Sequence, residues 1–209
     1  MSMQKRYRAF WLVAMMGSAW GCTAASAAVV APPSAEAFWP LLLKLIASPS
    51  LRIDPMVAGA AVDVSADRFR HIESSGRDDP GGDVLGPDQG WPFYLDLPNA
   101  DMTSTRQGAR FSFVKEWPVR RTTALPMCID ADRARVDITA IGWSYLGKTT
   151  DWSAKPWPSF IVARFERQLA GSTEQLLVFY NSVSEADDRH GCLFHFEIDT
   201  EPVLAGENR

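Results

Sequence analysis

The stretch FIVARFERQLAGSTEQLLVFYNS, residues 160–182, decides the fold. Residues 160–168 and 174–182 read as strands, and Ala170-Gly171-Ser172 between them supplies turn formers at hairpin spacing. Working outward, residues 143–152 and 192–199 read as two further strands. Upstream lies the clearest helix of the chain, residues 130–142. Asp130 can cap its free N–H groups, Ala131, Ala134, Ile138 and Ile141 fall at helical spacing on one face, and Gly142 supplies a left-handed stop.

The same order, helix then strands, occurs once before residue 118. A helix is expected from Phe38 through Leu41, Leu42, Leu43, Leu45 and Ile46 to Ser48-Pro49, beginning there because Pro40 belongs in a first turn. Residues 51–73 read as extended pieces, with Val62 and Val64 alternating against Asp63 and Ser65. The Gly/Pro/Asp-rich residues 74–90 read as a mobile loop. Strands follow at 91–97 and 109–116, around a polar turn region at 99–108. In the second of these Phe111 and Phe113 face one way and Arg110 and Ser112 the other. The fold class is α+β: an antiparallel β-sheet meander with two main helices, arranged as two αβββ-like halves. This order resembles the tandem architecture of bacterial β-lactamase-inhibitor proteins. The resemblance lies in element order alone and transfers no residue.

Residues 1–28 read as an export signal. Lys5, Arg6 and Arg8 precede the apolar run 9–20, and small residues follow. About 12 apolar residues are too few for a spanning helix, which needs roughly 20. Ala25-Ser26-Ala27 fits ordinary cleavage. Ala19-Trp20-Gly21-Cys22 loosely fits a lipoprotein signal, which would place a lipid anchor on Cys22. The expected organisation is a linker at 29–37, a single domain at 38–202 and a flexible tail at 203–209. Subtracting the three basic residues of the leader from 21 leaves 18 against 25 acidic residues, a formal charge of −7. Such a chain is a poor partner for nucleic acid or anionic membrane and attracts a basic protein. The expected location is periplasmic or secreted, with a membrane-anchored lipoprotein as the alternative.

Without Cys22, Cys128 and Cys192 form an even pair and predict a disulfide. Along a regular strand Cys192, Phe194, Phe196 and Ile198 share one face, while Leu193, His195 and Glu197 share the other. Cys192 and His195 then point apart, which argues against a metal site with His190. Asp78, Asp79, Asp83 and Asp88 do not match the twelve-residue calcium loop, so no metal is assigned.

Catalytic frames are missing too. Residues 142–147 miss the nucleophile-elbow pattern at Leu146, and His71, His190 and His195 sit in no frame with a serine and a carboxylate. Glu166, Glu174, Glu185, Asp187 and Asp188 are read as solvated rather than as a glycosidase pair. No phosphate-cradling glycine loop and no cofactor motif is found. The candidate binding residues are Trp143, Tyr145, Trp152 and Trp157, an aromatic platform for a protein partner or a glycan, with core packing as the competing role. The expected function is that of an exported, non-enzymatic binding protein of the inhibitor or immunity kind, acting on another protein. An envelope-associated accessory lipoprotein and a cell-envelope hydrolase are the alternatives.

Overall fold

Asp54, not the alternating valines, decides how the first half is built. In the computed structural model its side chain accepts from Met56 N and Val57 N, both at 2.9 Å, and opens a helix with Pro55 at its first position. The structure describes residues 33–48, 53–75, 81–98, 108–114, 125–151, 160–169, 172–181 and 191–202. The export signal, Cys22, residues 29–32 of the expected linker and the tail lie outside them, and the last three residues of that linker, 35–37, belong to a helix.

Three helices are present among the described residues: α1 (Ala35–Ala47), α2 (Pro55–Val62) and α3 (Ala131–Ala140). α1 starts three residues before Phe38, because the Ser34 hydroxyl accepts from Ala37 N at 3.3 Å. Pro40 therefore falls inside the helix. Its ring is exposed, so the missing N–H falls on the solvent side, where the loss costs least. α2 replaces the expected extended pieces at 51–73. It ends at Asp63 in the left-handed conformation (φ 58°), and the chain turns back so tightly that a Cβ on Gly59 would lie 2.4 Å from the Val64 carbonyl oxygen. α3 matches its expectation closely, with Asp130 accepting from Arg133 N at 2.9 Å and Gly142 at φ +97°.

Eight strands form one antiparallel sheet: β1 (Arg70–Ile72), β2 (Gly82–Leu85), β3 (Tyr94–Pro98), β4 (Ala109–Ser112), β5 (Ser144–Asp151), β6 (Phe160–Leu169), β7 (Ser172–Asn181) and β8 (Cys192–Pro202). Their spatial order is β1-β2-β3-β4-β8-β7-β6-β5. Each half is a helical segment followed by a four-stranded meander, and the halves join through their last strands, β4 and β8. The α+β meander is as expected; the second half has the four strands read there, while the first half gains β2 and a third helix, so neither half is limited to three strands. β2 lies within the expected mobile loop. Pairing with β1 on one side and β3 on the other satisfies its backbone, and Leu85 is fully buried. Leu169 stands opposite Ser172, as the predicted hairpin at 170–172 requires.

The helices cover one face of the sheet. Phe38 of α1 packs 4.6 Å from Phe93 and 5.9 Å from Phe111, ring centre to ring centre, and Leu95, Phe165, Leu176, Val178, Phe196 and Ile198 complete the same layer. β4 is held close to β8: a Cβ on Gly108 would lie 1.8 Å from the Ile198 carbonyl oxygen. A register shift between Phe179 and Tyr180 adds one residue on β8. Strict alternation therefore breaks at its start, where Leu193 and Phe194 are both buried, and Cys192 falls out of phase with Phe194.

Candidate functional site

The opposite face of the sheet carries a cleft of about 470 Å³ over β1–β4 and β8. Strand register builds it. Arg70 stands opposite Val84, Val84 opposite Asp96, Asp96 opposite Arg110 and Arg110 opposite Glu197, so that five strands contribute one row of side chains. A second row runs Tyr94, Ser112, His195. All of these residues line the cleft, and Asp88 and Gln89 form part of its wall. The wall is tied down by the Arg68 guanidinium, which donates to the Gln89 carbonyl.

The charges in this cleft are unequally compensated. His195 Nε2 donates to Glu197 Oε1 at 3.0 Å, and Arg110 Nε lies 3.8 Å from the same oxygen. The hydrogen bond from His195 pulls the Glu197 pKa below the usual carboxylate range despite burial, with the charges of His195 and Arg110 adding to it. Asp96 behaves in the opposite way. Asp96 remains open to solvent at the mouth of the cleft, but the walls desolvate its carboxylate in part and push its pKa upward, with Arg110 and His195 opposing the shift. Arg70, Arg110 and His195 share the cleft with three carboxylates, from Asp88, Asp96 and Glu197. A carboxylate in this position can receive a further cation.

The aromatic residues singled out from sequence are not brought together as a platform. Trp143 is 1% exposed. Its Nε1 donates to the Ile46 carbonyl at 3.2 Å, and the Arg167 guanidinium lies 4.4 Å from its ring centre. The exposed-platform reading of Trp143 is thus corrected: the residue precedes β5 and tucks under the C-terminus of α1. Tyr145 keeps 37% exposure and packs 5.3 Å from Phe165. Trp152 and Trp157 lie outside the described residues, as do Asp78, Asp79, Glu185, Asp187, Asp188 and His190.

Cys128 and Cys192 are bonded, closing a separation of 64 residues. The bond clamps the start of α3 to β8, beside the backbone bonds Ala131 N to Gly191 O and Leu193 N to Ile129 O, both 2.9 Å. Of the carboxylates expected to be solvated, Glu174 is instead 1% exposed. Arg167 Nε donates to it at 2.8 Å, and the same guanidinium reaches the Ala47 and Ser48 carbonyls at 3.1 and 3.0 Å. Burial raises the Glu174 pKa, and the hydrogen bond and charge of Arg167 oppose the shift. This pair caps the last turn of α1.

Asp96, Arg110 and Glu197 were not singled out as a site. The strand-face patterns had already placed Arg110 with Ser112 and Glu197 with His195, but no local signal shows that β4 pairs with β8. Among the described residues no helix is long and apolar enough to cross a membrane, and no group of three or more His, Cys, Asp or Glu residues is placed to hold a metal. No protein-family model, curated protein or solved structure matches the chain.

Proposed function

We propose that this is an exported, non-enzymatic binding protein that captures another protein through the cleft on the face of the sheet opposite α1–α3, with a lysine or arginine of the partner seated beside Asp96. The observation that carries this reading is the incomplete compensation of Asp96 within a row of alternating charge. Such rows give specificity by complementarity, and an acidic chain of formal charge −7 after removal of the leader draws a basic partner by steering. The disulfide suits an oxidising compartment.

The test is affinity capture from the native envelope with tagged wild-type and Asp96→Asn chains. Recovery of one basic protein by the wild type, weakened about tenfold or more by the substitution, supports the reading; truncating one member of a desolvated charge pair commonly costs that much. Equal recovery by both chains sinks it.

A hydrolase is the second reading, favoured by one observation: His195, Glu197 and Asp96 share a cleft of ligand-binding size. Turnover of an envelope polymer that is lost in His195→Ala would replace the binding reading.

A further inference from the structure

We infer that the cleft takes a dipolar segment of the partner protein, with an arginine or lysine beside Asp96 and, about 10 Å away, an aspartate or glutamate beside Arg70. This rests on the binding reading above and adds an acidic requirement to the basic one. The row across the sheet supplies both contacts. Arg70 stands opposite Val84 and Val84 opposite Asp96, so the two charges lie on one face, two strand spacings apart, with an apolar residue between them. Both side chains line the cleft, both residues are exposed, and neither makes a hydrogen bond or an ion pair among the described residues. The rest of the row is already engaged: Arg110 lies 3.8 Å from Glu197, which also accepts from His195 at 3.0 Å.

This arrangement selects the chemistry of the occupant. A purely basic segment satisfies Asp96 but meets Arg70 with repulsion, and a purely acidic one does the reverse. A segment that carries both signs satisfies both, and the aliphatic stems of its charged side chains cover Val84. In an extended stretch, residues two apart point the same way with their Cα atoms about 7 Å apart, and long side chains span the remaining distance. A base and an acid two residues apart in an extended stretch therefore fit the pair. Tyr94, two residues from Asp96 on the same face of β3 and also lining the cleft, offers its ring to the same cation.

The experiment titrates isotope-labelled protein with three pentapeptides, acetylated and amidated so that no terminal charge remains: Ala-Arg-Ala-Glu-Ala, Ala-Arg-Ala-Arg-Ala and Ala-Glu-Ala-Glu-Ala. The mixed peptide should give saturable shifts in the amide resonances of β1 and β3. The two single-sign peptides should bind about tenfold more weakly, since each exchanges an attractive contact at an open position for a repulsive one. Arg70→Glu should invert the preference, making the double-arginine peptide the tighter ligand. Arg70→Gln, a milder change at the edge strand, should bring the mixed and double-arginine peptides to within about twofold of each other, as the loss of one exposed charge contact allows. Asp96→Asn should weaken both arginine-bearing peptides. Tighter binding of the double-arginine peptide by the wild type, or a preference unchanged by either Arg70 substitution, would overturn the acidic half, and the basic-partner reading would stand if Asp96→Asn still weakens binding. Binding indifferent to Asp96→Asn would overturn both. Absence of saturable shifts with every peptide would overturn the dipolar site, while the capture comparison above still tests the basic-partner reading by itself.

Discussion

The two faces of the sheet each carry a charged cluster, and the clusters are built for different purposes. On the helix-covered face Arg167 and Glu174 are sealed together, and the spare donors of the guanidinium are used by the carbonyls at the end of α1. On the open face Asp96, Arg110, His195 and Glu197 meet in a cleft, where Glu197 is well compensated and Asp96 is not. A buried pair whose charges and most of whose donors are met within the protein holds structure, whereas an open, partly compensated cluster can accept a partner. The same residue types serve both, and packing decides which.

The sharpest way to break this contrast is Glu174→Ala. It leaves the Arg167 guanidinium buried without its counter-ion, and should cost about 3–5 kcal/mol in chemical denaturation. Replacing both partners by apolar residues of similar volume should recover most of that loss. If the single variant costs no more than a surface substitution, the pair is not the structural node described.

Reduction of the Cys128–Cys192 bond should cost on the order of 4 kcal/mol by the chain-entropy account of a loop of this length. The expected readout is a lower melting temperature in reductant. Since the bond lies at the start of β8, proteolytic sensitivity should rise first near α3 and β8, and uniform sensitivity would argue against a local clamp.

The open cluster should respond to pH more than to truncation. The lowered Glu197 pKa means that its contribution is fully present above the ordinary carboxylate pKa and is lost as pH falls through the depressed folded value. Glu197→Gln should therefore cost about 1 kcal/mol or less at pH 7, because the side chain is partly exposed, and should flatten the acid limb of the stability curve. Asp96 has the opposite sign. Its raised pKa favours the fold at acid pH, and that advantage disappears as pH rises through the folded value. Asp96→Asn should thus leave stability within about 0.5 kcal/mol of wild type at pH 7, shifted if at all upward, while partner capture falls. A large destabilisation would place Asp96 with the structural pair rather than with the binding cleft.

Most of the second half was legible without the structure. Asp130 and Gly142 bracket α3 through local hydrogen bonding and a left-handed turn, and the hairpin at 170–172 follows from its turn residues. The cysteine count was enough to pair Cys128 with Cys192. The first half was less legible. Asp54-Pro55 is a helix start overshadowed by the valines at 62 and 64, and the glycines and aspartates of 74–90 disguised a strand whose stability comes from neighbours on both sides. Trp143 shows the same limit: a tryptophan before a strand can serve a surface or a core, and only the position of α1 above it selects the core.

The sequence by itself determined the local features: helix caps, strand faces, the hairpin and the cysteine pair, each set by groups within a few residues of one another or by simple pairing. Tertiary structure alone decided the site. Arg110 and Glu197 are far apart along the chain and meet because β4 pairs with β8, and that pairing is selected by the burial of Phe111 against Phe196 beneath the helices. Such a choice depends on the summed burial and backbone pairing of the whole sheet, to which no short stretch of sequence has access.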